Sequence, residues 1–355
     1  MEKTINYVPT FRARQQENIV LQEFNFEDRM IPMVEIIKEK DRTNNPKAFT
    51  EIYNELIYKI KAGKVLVDLP TYLRDISSMS DEVVKFNRKV LGVLEQRVKH
   101  FMFFSELRSK IIPVISSLLF KTGEENTITT QYNKLKEIFP NVAFRSYTNT
   151  FDFDIREIQK LLSESDIIIY DMDTLAVTNP LVKKHSILIK NLNGLFKTAL
   201  RSAINTDIYN VHLEHGEIVV EADNSLMDLY KDIHFDSFGD YVGIKKDDFS
   251  AGGTISPGFI FYDPIDNLYY GFKGARKQLS EFKETIVPAV LKSEVVKRLR
   301  QEQKEYLDNN KGYDELLSIQ NNKEDTGKSQ ARFKRISMEH YLHAMMTKIK
   351  MGEII

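Results

Sequence analysis

Asp166-Ile167-Ile168-Ile169-Tyr170-Asp171 (DIIIYD) is a short apolar run with a carboxylate at each end. Such a run suits a strand covered on both faces, as in a parallel sheet. Seven further runs of this kind flank it: Tyr7–Phe11, Ile31–Ile36, Val65–Leu69, Ile111–Ser116, Val142–Tyr147, Thr198–Ala203 and Asp240–Ile244. From Tyr7 to Asp240 there are seven steps over 233 residues, about 33 per step. That is the length of a strand–helix unit, and eight such units make a (β/α)8 TIM barrel of ~250 residues.

The stretches between the runs carry helical periodicity. Phe49, Ile52, Tyr53, Leu56, Ile57 and Ile60 fall on one helical face. Val83–Leu107 reads as a longer helical segment, and Thr127–Phe139, Ile155–Leu162 and Leu226–Ile233 as shorter ones. Asn179-Pro180 predicts a helix start, with Asn179 as N-cap and Pro180 in the first turn. Gly258–Lys273 reads as a β-hairpin turning at Pro264–Asn267, an edge elaboration outside the barrel. A doubly wound sheet is the alternative fold, but neither a GxGxxG nor a GxxxxGK[ST] phosphate loop is present to favour it.

Beyond residue 280 the pattern turns helical. Leu279–Tyr306 is periodic with an interruption expected at Pro288, Asn309–Gly327 is polar and rich in Asn and Gly and so is expected to contain loop, and Phe333–Ile349 reads as a closing amphipathic helix. The expected organisation is therefore an α/β barrel over residues 1–275 and a C-terminal helical extension over 276–355 packed on it.

Composition narrows the function classes. Lys and Arg total 50 against 51 Asp and Glu, which argues against bulk nucleic-acid binding. The chain has no Cys, so disulfides, thiolate metal sites and cysteine nucleophiles are excluded. No run approaches the ~18 apolar residues of a membrane span, and the first residues, MEKTINYVPTFRARQQE, lack a signal-peptide core. A cytoplasmic location is expected.

Barrel chemistry sits where strands end. Those positions hold Arg12, Glu35, Asp68, Arg145, Asp171 with Asp173, and Arg201, while Asp240 opens the last run. Side chains alternate along a strand. Glu35 therefore shares a face with Met33, Asp68 with Leu66, Arg145 with Ala143, Asp171 with Ile167 and Ile169, and Arg201 with Ala199. If the apolar members fill the barrel, the charged members meet one layer above. Charges gathered there need partners. They either pair among themselves as a structural plug or serve a ligand. For a ligand, Arg12, Arg145, Arg201 and Asp240 would bind a small anion, phosphate- or nucleotide-like. Glu35, Asp68 and Asp171 would be the catalytic carboxylates, suited to proton transfer or to a divalent ion such as Mg²⁺.

Other signals are weaker. His212-Leu213-Glu214-His215 lacks the spacing of a helical zinc motif. His340 and His343 could share a helix face and read as a packing pair. Ser250–Gly253 (SAGG), ahead of Ser256-Pro257-Gly258, is a glycine-rich loop where barrels often bind phosphate. Lys328, Arg332, Lys334 and Arg335 form a basic cluster that reads first as a solvated face.

These residues carry a resemblance. Tyr7-Val8-Pro9 with Arg12 and Glu17, then Ile31-Pro32-Met33-Val34-Glu35-Ile36, resembles the opening of the "beta protein" family of T4-type phages and bacterial mobile elements. Asp68, Arg145, Asp171, Arg201-Ser202 and Phe238-Gly239-Asp240-Tyr241 continue the likeness, as do Phe333-Lys334-Arg335-Ile336 and His340-Tyr341-Leu342-His343. The sequence departs from it at Glu339-His340-Tyr341, where adjacent histidines are expected. The resemblance implies a single-domain protein of about this length and no established activity. Its mobile-element setting suggests phage–host conflict. Two functions remain open: a metal-assisted hydrolase or lyase acting at the barrel mouth, and a non-catalytic scaffold paired with a protein from its own operon in phage defence or counter-defence.

Overall fold

A computed structural model describes residues 5–42, 44–73, 75, 79–246, 256–325 and 327–354. Its strands are β1 (Tyr7–Arg12), β2 (Met33–Glu35), β3 (Val65–Asp68), β4 (Ile111–Ile115), β5 (Ala143–Tyr147), β6 (Ile167–Asp171), β7 (Phe196–Leu200), β8 (Glu217–Ile218), β9 (Ser237–Asp240), β10 (Gly258–Asp263) and β11 (Leu268–Lys273). Eight of them, β1 to β7 and β9, close into a barrel in which every neighbouring pair is parallel. Helices alternate with the strands, as expected of a TIM-barrel-like α/β fold. They are α1 (Gln15–Glu23), α2 (Phe49–Lys59), α3 (Asp81–Phe86), α4 (Leu94–Met102), α5 (Leu119–Thr122), α6 (Thr127–Lys136), α7 (Phe151–Leu161), α8 (Pro180–Lys190) and α9 (Leu226–Leu229).

The barrel interior is filled by Val8, Met33, Leu66, Ile112, Val114, Ala143, Ile167, Ile169 and Leu200, all buried. Each sits on the strand face that alternation assigns to the core. Start signals act locally as expected: the Asn179 side chain accepts from the Leu181 amide at 2.9 Å, capping α8, with Pro180 in its first turn.

The described residues form two compact units. One holds those up to Arg201 and Leu226–Asp240, which make the barrel. The other holds Ser202–Ser225, the residues from Tyr241 to Lys246, and those from Ser256 onward. In this second unit β10 and β11 form the expected hairpin, with β8 added antiparallel to β11. The turn runs through Asn267 at φ 57°. Four helices complete the unit: α10 (Val287–Lys292), α11 (Glu294–Glu302), α12 (Lys311–Asn321) and α13 (Gln330–Met351).

Several elements differ from expectation. The eighth barrel strand is Ser237–Asp240, so Asp240 ends it rather than opening it. Val242 and Gly243 adopt φ of 55° and 67°, which no strand can continue. Gly239 instead lies in the strand, where a Cβ would come within 2.6 Å of the Val8 carbonyl oxygen and 3.2 Å of Leu200. Only glycine lets β9 sit this close to β1. The seventh strand starts at Phe196, and its interior face is Phe196 and Leu200, not Ala199 and Arg201, because the larger side chains fill the barrel. Val83–Leu107 is not one helix: a π-helical turn at Asn87–Leu91 and Gly92 break it. Asn309–Gly327 does contain loop, at 322–325, but most of it is α12, whose cap Asn310 accepts from the Tyr313 amide. At Pro288 the helix changes type without ending: a π-helical turn over Phe282–Ile286 runs into α10 with Pro288 in its first turn, and the full break comes at Ser293, which caps α11.

Candidate functional site

At the C-terminal ends of the barrel strands the charged layer assembles around one side chain. Arg145, on β5, donates through Nη1 to Glu35 Oε1 at 2.7 Å and to Asp68 Oδ2, and through Nη2 to Asp171 Oδ2 at 2.6 Å. All four side chains are fully buried. The local reason is alternation: each lies two residues beyond a core residue of the same strand. The register brings them level, since Glu35 pairs with Arg12 on one side and Asp68 on the other. Two rings flank the guanidinium, Tyr72 at 5.4 Å and Tyr147 at 5.2 Å from Cζ to ring centroid. Tyr72 also donates to Glu35 Oε2 at 2.7 Å, and the Asp173 amide donates to Asp171 Oδ1 at 2.8 Å.

Tyr72 stands on the loop after β3, and two cations hold that loop by its carbonyls. Arg97, fully buried on α4, donates through Nη1 to the Leu69 and Leu91 carbonyls and through Nε to Gln131 at 3.1 Å. Lys121 donates to the Leu73 carbonyl at 2.9 Å and to Asn87 Oδ1 at 2.5 Å. Asn87 is the first residue of the π-helical turn, and its amide reaches Asp75 at 2.6 Å. Burial, with Arg97 nearby, pulls Lys121 down to about 8.

The remaining predicted residues are placed differently from one another. Arg12 is buried, with Nε 3.8 Å from Glu17 Oε1. Arg201 follows β7 at the same barrel end and donates to the Thr174 carbonyl at 3.3 Å. Asp240 accepts from Tyr7 Oη at 2.6 Å. Because Gly239 faces the core, Asp240 faces the other side of the sheet, with Phe238 and Tyr7 on neighbouring strands. Ser250–Gly253 lies outside the described residues. His212 and His215 do not converge: His212 packs edge-on against Tyr209, while His215 Nδ1 lies 2.9 Å from the Lys273 carbonyl. His340 is buried, its Nε2 donating to the Tyr262 carbonyl at 2.8 Å and its Nδ1 accepting from Asn310 at 2.9 Å. Burial holds it neutral, lowering its pKa to about 4. In the basic cluster, Arg332 and Arg335 are both paired with Glu315.

Two buried carboxyls are raised to about 6, Asp154 on α7 and Asp68, and of these two Asp68 is the one in the charged layer. Burial raises its carboxyl to about 6, Arg145 opposing the shift and Glu35 adding to it. A raised folded pKa means that its contribution to stability is fully present below the unfolded value and lost as pH rises through about 6. The melting temperature of the wild type relative to Asp68→Asn should therefore fall between about pH 4 and pH 7. Differential scanning fluorimetry across that range checks it, and a flat difference would contradict a raised Asp68. The three carboxylates close on a guanidinium, not on an open point, so they do not fit Mg²⁺. Among the described residues, no group of three or more His, Asp or Glu is disposed to hold a metal ion.

Sequence reasoning missed Tyr72, Arg97, Ser116 and Tyr147. Tyr147 and Ser116 had a signal, being two residues beyond Arg145 and Val114 on inward-facing positions. Tyr72 and Arg97 had none, since a loop and a helix carry no inward parity.

The profile of the Beta protein family matches residues 7–347, nearly the whole chain. The chain belongs to the Beta protein family. No curated protein matches it. Glu35, Asp68, Arg145 and Asp171, among the residues that carried the resemblance, meet at the barrel mouth. Tyr7 and Asp240, in this Beta protein's Tyr7-Val8-Pro9 and Gly239-Asp240-Tyr241 segments, hydrogen-bond across β1 and β9. Among the described residues, no helix is long and apolar enough to cross a membrane.

Proposed function

We propose that this Beta protein binds a small phosphate- or nucleotide-like ligand at its barrel mouth, with Asp68 as the proton-exchanging group. The observation that carries this is Asp68 itself. A fully buried carboxyl at a barrel strand end, raised to about 6, exchanges its proton near neutral pH, where acid–base catalysis is most effective. Arg201 would hold the anion: it follows β7, and barrels commonly bind phosphate after strands seven and eight. Arg12 supports it from β1. Arg145 is given a different part, since three carboxylates share its guanidinium and an anion there would meet net negative charge.

A second function, a non-catalytic scaffold in phage defence or counter-defence, is supported by the same plug: complete burial and mutual pairing are also what a purely structural ion cluster provides. Thermal melts with nucleoside monophosphates separate the two. Ligand binding should raise the wild-type melting temperature in proportion to the logarithm of ligand concentration, and Arg201→Ala should lose at least tenfold in affinity as a charge-assisted pair disappears. The absence of any shift, with no small molecule in native mass spectra of the purified protein, would leave the scaffold function standing.

A further inference from the structure

Four polar atoms at the mouth are buried and have no hydrogen-bond partner among the described residues: Asp68 Oδ1, Tyr147 Oη, Ser116 Oγ and Arg97 Nη2. Buried polar groups are almost always paired, so each such atom needs an explanation. These four belong to one side of the barrel. Asp68 ends β3, Tyr147 ends β5, and Ser116 follows β4 between them. Ile115 pairs with Phe144, so the next register step sets Ser116 beside Arg145. Arg97 reaches the same place from α4, with Nη1 on the carbonyl of Leu69, the residue after Asp68. Its Nε holds Gln131, which in turn donates to the Ser116 carbonyl at 2.9 Å. The charge on Arg97 feels both Asp68 and Tyr147.

The hydrogen-bonding sense of the four atoms selects a ligand. Asp68 Oδ1 accepts; Tyr147 Oη and Arg97 Nη2 donate; Ser116 Oγ does either. A phosphate offers acceptors only and would repel Asp68. A group with one N–H beside one carbonyl satisfies Asp68, Tyr147 and Arg97, because a carbonyl oxygen has two lone pairs for two donors, and a second carbonyl flanking the N–H, as in uracil, takes Ser116. A ring nitrogen has one. The edge that fits is a lactam, as in the oxo-pyrimidines and oxo-purines. We infer that Asp68, Tyr147, Ser116 and Arg97 form a recognition pocket for the lactam edge of a nucleobase, on the β3–β5 side of the mouth. This rests on the ligand-binding function proposed above and names the part of the ligand that Arg201 would not hold.

Isothermal titration of the full-length protein with uracil and hypoxanthine, against adenine and inorganic phosphate, tests it. The lactam bases should bind at least tenfold more tightly than adenine. Tyr147→Phe and Ser116→Ala should each weaken uracil by about tenfold, the scale of one hydrogen bond to a buried group. Both variants remove a single unpaired oxygen, so melting temperature should hold and keep the comparison clean. If uracil and hypoxanthine fail to bind, or bind equally to Tyr147→Phe and Ser116→Ala, the pocket holds water alone and the inference is overturned. Phosphate binding that depends on Arg201, without base binding, overturns the pocket but keeps the anion site. Base binding without phosphate binding does the reverse.

Discussion

Arg145→Ala is expected to destabilise the protein by about 3–5 kcal/mol, the cost of leaving buried charge uncompensated. Arg145 supplies the counter-charge for Glu35, Asp68 and Asp171, and none of the four side chains reaches solvent. At about 2–4 °C per kcal/mol for a domain of this class, the melting temperature should drop by roughly 10 °C. The loss should depend on pH with a definite sign. Without the guanidinium, burial and mutual repulsion raise the carboxyl pKa values in the folded state, so stability is retained at low pH and lost as pH rises. The variant should therefore approach the wild type near pH 5 and fall furthest behind it near pH 8. Adding Glu35→Gln and Asp171→Asn to Arg145→Ala should restore part of the loss, because the amides carry no charge to bury. Melts of the single and triple variants at both pH values measure this. A loss under about 1 kcal/mol, typical of a solvent-screened pair, would mean that the plug opens in solution.

The second large effect is expected in the other unit. Phe333, near the start of α13, is fully buried; its ring stacks on Phe282 at 4.4 Å and meets Phe259 of β10 edge-on at 5.4 Å. Phe261, the next residue but one on β10, stacks on His340 about two turns further along the same face of α13, at 4.2 Å. Phe333→Ala should cost about 3–5 kcal/mol, combining lost transfer free energy with the cavity left behind. Phe333→Leu should cost distinctly less. Urea denaturation, with trypsin sensitivity of residues 256–325 as a second readout, measures it. An alanine variant with an unchanged midpoint would mean that α13 does not close over the hairpin as described. The close approach of α12 to α13, where a Cβ at Gly312 would run into the Ile336 carbonyl oxygen, shows why these helices leave no slack to absorb such a void.

The charged layer was legible because alternation is a local property. Met33 in the core commits Glu35 to the same face, and Leu66 does the same for Asp68, whatever the rest of the chain does. The rule failed in β7, where either parity offers an apolar residue and only the volume available inside the barrel selects Phe196 and Leu200 over Ala199. It failed again at Asp240, where the apolar Tyr241 and Val242 resembled a strand that positive φ angles at Val242 and Gly243 forbid. The hairpin and its turn were readable from local chemistry, as was the Asn179 cap.

What the sequence by itself determined, then, is the strand–helix repeat, with the inward face right in the first six runs, and the identity of Glu35, Asp68, Arg145 and Asp171 at their ends, since spacing and parity need no partner. Tertiary structure decided the rest. A pairing between Arg145 and three carboxylates spans up to 110 residues of chain, and nothing in the spacing says which charge meets which. Tyr72 and Arg97 reach the mouth from a loop and a helix, where position is set by closure of the barrel and by carbonyls left over when strand β3 ends. Burial, which moves Asp68 toward neutrality, exists only once that closure has excluded water.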